Sequence, residues 1–109
     1  MDSMLVALSE PNRTRIVEVL RAGPRSVNEL VEELHLTQPL VSKHLRVLRE
    51  AGIVRVRPNA QRRLYELEPG PFRELNAWVS TFRRLWEDRL ETLDDRLQQM
   101  KREQVHKSK

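Results

Sequence analysis

Apolar residues along the chain fall first into short helical stripes, then into alternation, then into one long helical stripe. Met4–Leu8 reads as a short apolar helix. Pro11 sits just inside the next helix start, where its missing N–H costs nothing, and Ile16, Val17, Val19 and Leu20 give that helix a buried face before Gly23-Pro24 stops it. Ser26 and Glu29 form an S-x-x-E capping box ahead of Leu30, Val31 and Leu34. Thr37 caps a further helix with Val41, Leu45 and Leu48 on one face and Gly52 at its end. The spacing thus predicts helices over 27–34 and 38–50, joined by a turn of three residues.

After Gly52 the period changes to two. Residues 53–57 and 62–67 are β-rich, and Pro58-Asn59-Ala60-Gln61 between them reads as a turn, with Asn59 tolerant of a left-handed backbone. Pro69-Gly70-Pro71 is read as a break. From Phe72 the apolar positions Leu75, Val79, Phe82, Trp86, Leu90, Leu93, Leu97 and Met100 step by three and four, with one stutter at 82–86–90. The expected architecture is mainly α with a small β-hairpin: a winged helix-turn-helix followed by a long C-terminal helix. Residues 1–102 are expected to form one domain that binds DNA and dimerises, and 103–109 a polar, disordered tail.

Charge changes this picture more than composition does. The 109 residues carry a net charge of +4, yet the segment 38–63 holds seven basic residues (Lys43, Arg46, Arg49, Arg55, Arg57, Arg62, Arg63) against the single acid Glu50. A block of one sign within a nearly neutral remainder is the footprint of a polyanion site. Of the 20 basic residues 16 are Arg, whose planar fork suits phosphate and guanine edges. The absence of cysteine excludes disulfides, thiolate metal sites and thiol redox switches. The stretch Met4–Leu8 is too short for a membrane span and lacks a basic flank, so the chain is expected to be soluble and cytoplasmic.

A helix that enters the major groove needs short polar and cationic side chains on its outer face. With Val41, Leu45 and Leu48 inward, Pro39, Lys43 and Arg46 face outward, flanked by Gln38 and Ser42 on one side and His44 on the other. Arg57, Arg62 and Arg63 on the hairpin are placed to reach phosphates or an adjacent minor groove.

These residues also carry a family likeness. The stretch Leu8-Ser9-Glu10-Pro11-Asn12-Arg13 through Ile16, and the string Ser42-x-His44-Leu45-x-x-Leu48-x-x-Ala51-Gly52, resemble the ArsR (ArsR/SmtB) repressors over residues 4–100. The resemblance implies a homodimeric winged-helix repressor on an imperfect inverted repeat, with Gln38, Ser42, Lys43 and His44 at the DNA interface. Two departures matter. The wing tip has Pro58-Asn59-Ala60 where the family often has Gly. Ser26-Val27-Asn28 stands where thiolate-type sensors carry Cys-x-Cys, and no His lies between Leu45 and Val105 to supply the ligand set of the C-terminal-helix sensors. No metal ligand set and no cofactor are therefore expected. Glu87, Asp88, Glu91, Asp94 and Asp95 interleave with Arg83, Arg84, Arg89 and Arg96, which suggests acid–base pairs three and four apart on a solvated helix. His35 falls in the turn and His106 in the tail.

A helix from Pro71 to Arg102 would be about 48 Å long, against about 30 Å for a domain of this size, so one protomer cannot cover its stripe. A homodimer interface is expected from Met4, Leu5, Leu8, Phe72, Leu75, Val79, Phe82, Trp86, Leu90, Leu93 and Leu97, with Trp78 and Leu85 widening the stripe. Phe72, Trp78, Phe82 and Trp86 read first as core positions, and alternatively as a pocket for an unidentified small-molecule effector. No Gly-rich phosphate loop is present, and Ser42 and His44, two apart on a helix, form no nucleophile–base pair, so no enzyme is indicated. Two other readings stay open: a winged-helix protein-interaction module, and a weakly specific architectural DNA binder.

Overall fold

Capping chemistry sets most element boundaries in the computed structural model, which describes the backbone of residues 2–107 and the side chains of 2–104. The described residues form five helices, α1 (Asp2–Leu8), α2 (Pro11–Leu20), α3 (Val27–Leu34), α4 (Gln38–Glu50) and α5 (Pro69–Lys107), and one hairpin between α4 and α5, β1 (Val54–Asn59) and β2 (Arg62–Leu67). This is a winged helix-turn-helix, mostly helical, with a long C-terminal helix. The α2 N-cap is Glu10, whose carboxylate accepts the Arg13 N–H, and Pro11 follows it. The Ser26/Glu29 box forms in both halves, and Thr37 Oγ1 accepts the Leu40 N–H at the start of α4. Polar residues of α2 close the ends of its neighbours: Arg13 Nε donates to the Ala7 carbonyl, Thr14 Oγ1 to that of Leu8, and Arg15 Nη2 to that of Leu34.

The chain divides into two units, residues 1–75 and 76–109. The first holds a core of Met4, Ala7, Ile16, Leu20, Leu30, Leu34, Val41, Leu45, Leu48, Ile53 and Val54, onto which Leu8, Val27, Tyr65, Leu67, Phe72 and Leu75 pack. One of the expected interface residues thereby changes role, since the core claims it. Met4 is buried in its own protomer's core, while Leu8, Phe72 and Leu75 lie partly buried against it. In the second unit Trp78, Val79, Phe82, Leu85, Trp86, Leu90, Leu93, Leu97 and Met100 are all exposed.

The junction between α4 and the hairpin is a Schellman motif. The Gly52 N–H donates to the Arg49 carbonyl and the Ile53 N–H to that of Leu48, with Gly52 at φ +76° and the side chains of Leu48 and Ile53 both fully buried. Any Cβ at Gly52 would be held in the left-handed region, which fixes glycine there.

β1 and β2 pair antiparallel in the register Val54↔Leu67, Arg55↔Glu66, Val56↔Tyr65, Arg57↔Leu64, Pro58↔Arg63 and Asn59↔Arg62. Arg25 adds a one-residue bridge on the free edge of β2, exchanging both backbone hydrogen bonds with Tyr65 at 3.0 and 2.8 Å. The wing departs from expectation at its tip. Pro58 and Asn59 belong to the strand, which leaves only Ala60-Gln61 as the turn, and the left-handed residue is Ala60 at φ 56° rather than Asn59. Pairing of Asn59 with Arg62 enforces a two-residue connection, and such connections demand positive φ at a central position. Likewise Pro69-Gly70-Pro71 does not break the chain before α5 but forms its first turn, where backbone N–H groups have no intrahelical acceptor to lose. The helix also runs past Arg102 to Lys107, since 101–107 contain no Gly or Pro to stop it. The His106 side chain lies outside the described residues.

Alanine at a left-handed position carries a steric cost of roughly 1–2 kcal/mol. Ala60→Gly is therefore expected to raise the unfolding midpoint by an equivalent of about 0.5–1 kcal/mol, after the larger unfolded-state entropy of glycine is deducted. Urea denaturation checks this, and an unchanged or lowered midpoint contradicts the assigned turn.

Candidate nucleic-acid interface

α3 and α4 are joined by His35-Leu36-Thr37, with His35 left-handed at φ 56° and its N–H donating to the Val31 carbonyl. This turn sets the angle between the two helices, and the buried face of α4 sets its rotation. Val41, His44, Leu45 and Leu48 point inward. Gln38, Pro39, Ser42, Lys43 and Arg46 are exposed on the opposite side, so five of the six α4 residues read from the sequence as DNA-facing share one solvent face.

His44 is the exception and is corrected. It is only 5% exposed, lies with Nδ1 3.7 Å from Glu10 Oε2, and neither ring nitrogen has a hydrogen-bond partner among the described residues. The reason is periodicity: positions 41, 44, 45 and 48 follow the i, i+3, i+4, i+7 spacing of one helical face. The expected place for His44, on a flank of the outer face and by family resemblance at the DNA interface, gives way to the inward row.

The hairpin cations are exposed but mostly engaged. Arg55 Nε lies 2.8 Å from Glu66 Oε1, and its Nη1 lies 3.2 Å from Glu68. Arg57 is 3.9 Å from the other Glu66 oxygen. Arg62 reaches across to α3, where it pairs with Glu29 and donates to Ser26 Oγ. On α4, Arg46 pairs with Glu50 one turn on, at 3.1 Å. Among the described residues, Lys43, Arg49 and Arg63 have no carboxylate within 4 Å. Sequence reasoning missed these acid partners because Glu29, Glu66 and Glu68 lie outside the basic segment; only the β-register, which puts Glu66 opposite Arg55, makes one of them foreseeable.

Two groups are electrostatically shifted. Hydrogen bonds from the Ser26 backbone N–H and hydroxyl, followed by the nearby Arg62 and Arg25 guanidinium groups, hold the Glu29 carboxyl below its ordinary value of 4.5. The Glu66 carboxylate, with Glu68 behind it, holds the Arg55 guanidinium protonated more firmly than usual.

On α5 the interleaved charges do not pair as expected: among the described residues none of its acids lies within 4 Å of a base. Exposed ion pairs gain little over full solvation of both partners. The contacts made instead are Thr92 Oγ1 to the Asp88 carbonyl and Gln98 Nε2 to Asp94. The Trp78 and Phe82 rings meet edge-on at 4.9 Å, and Arg89 lies 5.6 Å over the Trp86 ring.

Comparison with known proteins decides the family. Residues 10–56, from the α2 N-cap through α4 and into β1, match the profile described as "Bacterial regulatory protein, arsR family". The HTH-type transcriptional regulator Rv2034 of Mycobacterium tuberculosis is 46% identical over 76 residues, covering 70% of this chain and 71% of that protein. The chain belongs to the ArsR family. The transcriptional repressor BigR of Xylella fastidiosa has the same fold, with a TM-score of 0.61 and 38% identity over 74% of this chain and 81% of that one. The HTH-type transcriptional repressor SmtB of Mycobacterium tuberculosis is 47% identical over 64 residues, which span 59% of this chain and 47% of that relative. As an ArsR-family member the chain is a DNA-binding transcriptional regulator and not an enzyme. Among the described residues no helix is long and apolar enough to cross a membrane.

The Glu29 shift has a definite sign. A carboxyl whose folded pKa is depressed contributes stability that is fully present above its unfolded value of 4.5 and is lost as pH falls through the folded value. Glu29→Gln keeps the capping box, since Gln serves at that position, but loses the charge. The stability gap between the two proteins is expected to be present at pH 6 and to shrink below pH 4.5, as followed by urea midpoints. An equal gap at pH 6 and pH 3 contradicts the shift.

Proposed function

We propose that the chain is a homodimeric, metal-independent repressor that occupies an inverted-repeat operator, with the two units acting together as one DNA-binding and dimerising domain. The observation that carries this reading is the division of α4, whose inward face is locked to the wing through Leu48 and Ile53 while Gln38, Pro39, Ser42, Lys43 and Arg46 stand exposed together. Ser42, Lys43 and Gln38 read base edges, Arg46 and Arg49 lie along the same helix toward the backbone, and Arg63 extends contact to the wing.

Dimerisation rests on the apolar row of α5. Trp86 is 56% exposed and Leu90 59%, in a row that continues through Leu93 and Leu97. Burying a large apolar side chain is worth about 1.5–3 kcal/mol, so a row present on both copies offsets an association cost of about 4–15 kcal/mol. Leu5, exposed on α1, and Leu8, packed against the core, are proposed as further contacts with the partner copy. Two recognition helices about 34 Å apart then meet successive major grooves on one side of the duplex.

Metal independence rests on the donor set. At the site where thiolate sensors hold metal, Ser26 Oγ is committed to the Glu29 N–H and the Glu29 carboxylate to the Ser26 N–H. A hydroxyl and a capping carboxylate do not fit a soft metal ion.

Footprinting on the DNA upstream of the chain's own gene tests the reading as a whole, and a protected, two-fold-symmetric site is expected. Lys43→Ala is expected to lower the ratio of operator to random-duplex affinity about tenfold or more, at about 1–3 kcal/mol per lost base contact. Arg63→Ala should weaken both duplexes alike, as read by fluorescence anisotropy. A ratio unmoved by Lys43→Ala argues against base reading by α4. Trp86→Arg is expected to give monomers by sedimentation and to abolish operator binding; dimers that survive it contradict the proposed interface.

A further inference from the structure

Three of the four hairpin arginines are already paired to carboxylates of this same chain. Glu66 stands directly opposite Arg55 in the register, its side chain only 15% exposed, with one oxygen on Arg55 and the other 3.9 Å from Arg57. Glu68 takes the second nitrogen of Arg55, and Glu29, at the start of α3, takes Arg62. Exposed ion pairs of this kind add little to stability. Their larger consequence is electrostatic, because a carboxylate meets the guanidinium fork in the geometry a phosphate would use. A cation already neutralised by a fixed anion does not neutralise a phosphate and so releases no condensed counterion from the DNA.

We propose that Glu66, with Glu68 and Glu29, acts as a built-in substitute for phosphate that silences Arg55, Arg57 and Arg62, so that the wing attracts duplex through Arg63 alone and non-specific binding is held down. The inference rests on the DNA-binding reading above and deepens it by naming acidic residues that set specificity. The wing thereby keeps arginines that brace its two strands and tie it to α3 without adding sequence-blind affinity. Discrimination by Lys43 and Ser42 on α4 then forms a larger share of the total binding, which is what a reader searching among many wrong sites requires.

The test is the salt dependence of binding to a random-sequence duplex of about 20 bp by the full chain, since each phosphate contact contributes about 0.9 to the slope of log K against log salt. Glu66→Gln is expected to bind random duplex severalfold tighter at about 50 mM salt and to steepen the slope by about one, as Arg57 is released while Arg55 keeps its bond to Glu68. Arg63→Gln should flatten the slope by about one, and Arg55→Gln should leave it unchanged. The proposal is overturned if Glu66→Gln leaves the slope of the parent chain, or if Arg55→Gln flattens it as much as Arg63→Gln does. Should Glu66→Gln lose its cooperative melt, the contrast between Arg55→Gln and Arg63→Gln decides, and Glu29→Gln, which frees Arg62, must steepen the slope by about one. No binding of any duplex by the parent chain at low salt fails the DNA-binding reading and this inference together. Binding with the wrong pattern of slopes fails this inference alone.

Discussion

The interaction on which the rest depends is the burial of one face of α4. Val41, Leu45 and Leu48 are fully withdrawn from water, and rotating the helix by even one residue would exchange them for Ser42, Arg46 and Arg49. Because protein interiors pack as densely as molecular crystals, that exchange has no low-cost intermediate. The outer face of α4 is thus fixed by its inner one. The Schellman turn at Gly52 carries the constraint forward: Ile53 must be buried beside Leu48, and Val54, the first residue of β1, follows it into the core. Core packing therefore orients the recognition surface and the start of the wing in a single step.

Much of this was legible in the sequence, and the legible parts share a cause. The bounds of α3 and α4 follow from Ser26, Glu29, Thr37 and Gly52, residues whose local hydrogen bonds decide where a helix starts or stops whatever surrounds them. What was misread depends on partners distant along the chain or on competition between local rules. Pro69-Gly70-Pro71 carries breaker residues, yet a first helical turn tolerates them. At the wing tip Asn59 has the better intrinsic propensity for a left-handed backbone, but the strand register places Ala60 there instead, and pairing outweighs a cost of about 1 kcal/mol.

His44 shows the same competition within the site. A titratable side chain in a basic, solvent-facing helix reads as a DNA contact, and its neighbours Lys43 and Ser42 encourage that reading. The helical period nevertheless puts it with Val41 and Leu48, and the fold accepts an imidazole in the core with the Glu10 carboxylate 3.7 Å away. Through that neighbour His44 touches the N-cap of α2, the helix whose Arg15 closes the end of α3. The residue thus belongs to the frame that holds the helix-turn-helix together.

Charge obeys a different logic from packing. Counting residues 38–63 gives a block of seven bases and one acid, and that excess correctly points to a polyanion. Yet a count along the chain assigns each charge to its own segment, whereas the field at the surface depends on which opposite charges the fold brings within a few ångströms. Here folding brings Glu29, Glu66 and Glu68 to the wing arginines and leaves Lys43, Arg49 and Arg63 as the cations of segment 38–63 that, among the described residues, have no carboxylate within 4 Å, two of the three on α4. Within that segment most of the unpaired positive charge therefore lies on the helix that also carries Gln38 and Ser42. Long-range attraction and short-range hydrogen bonding then act from the same face, so that the approach favoured by the field is also the one that presents base-reading groups to the groove.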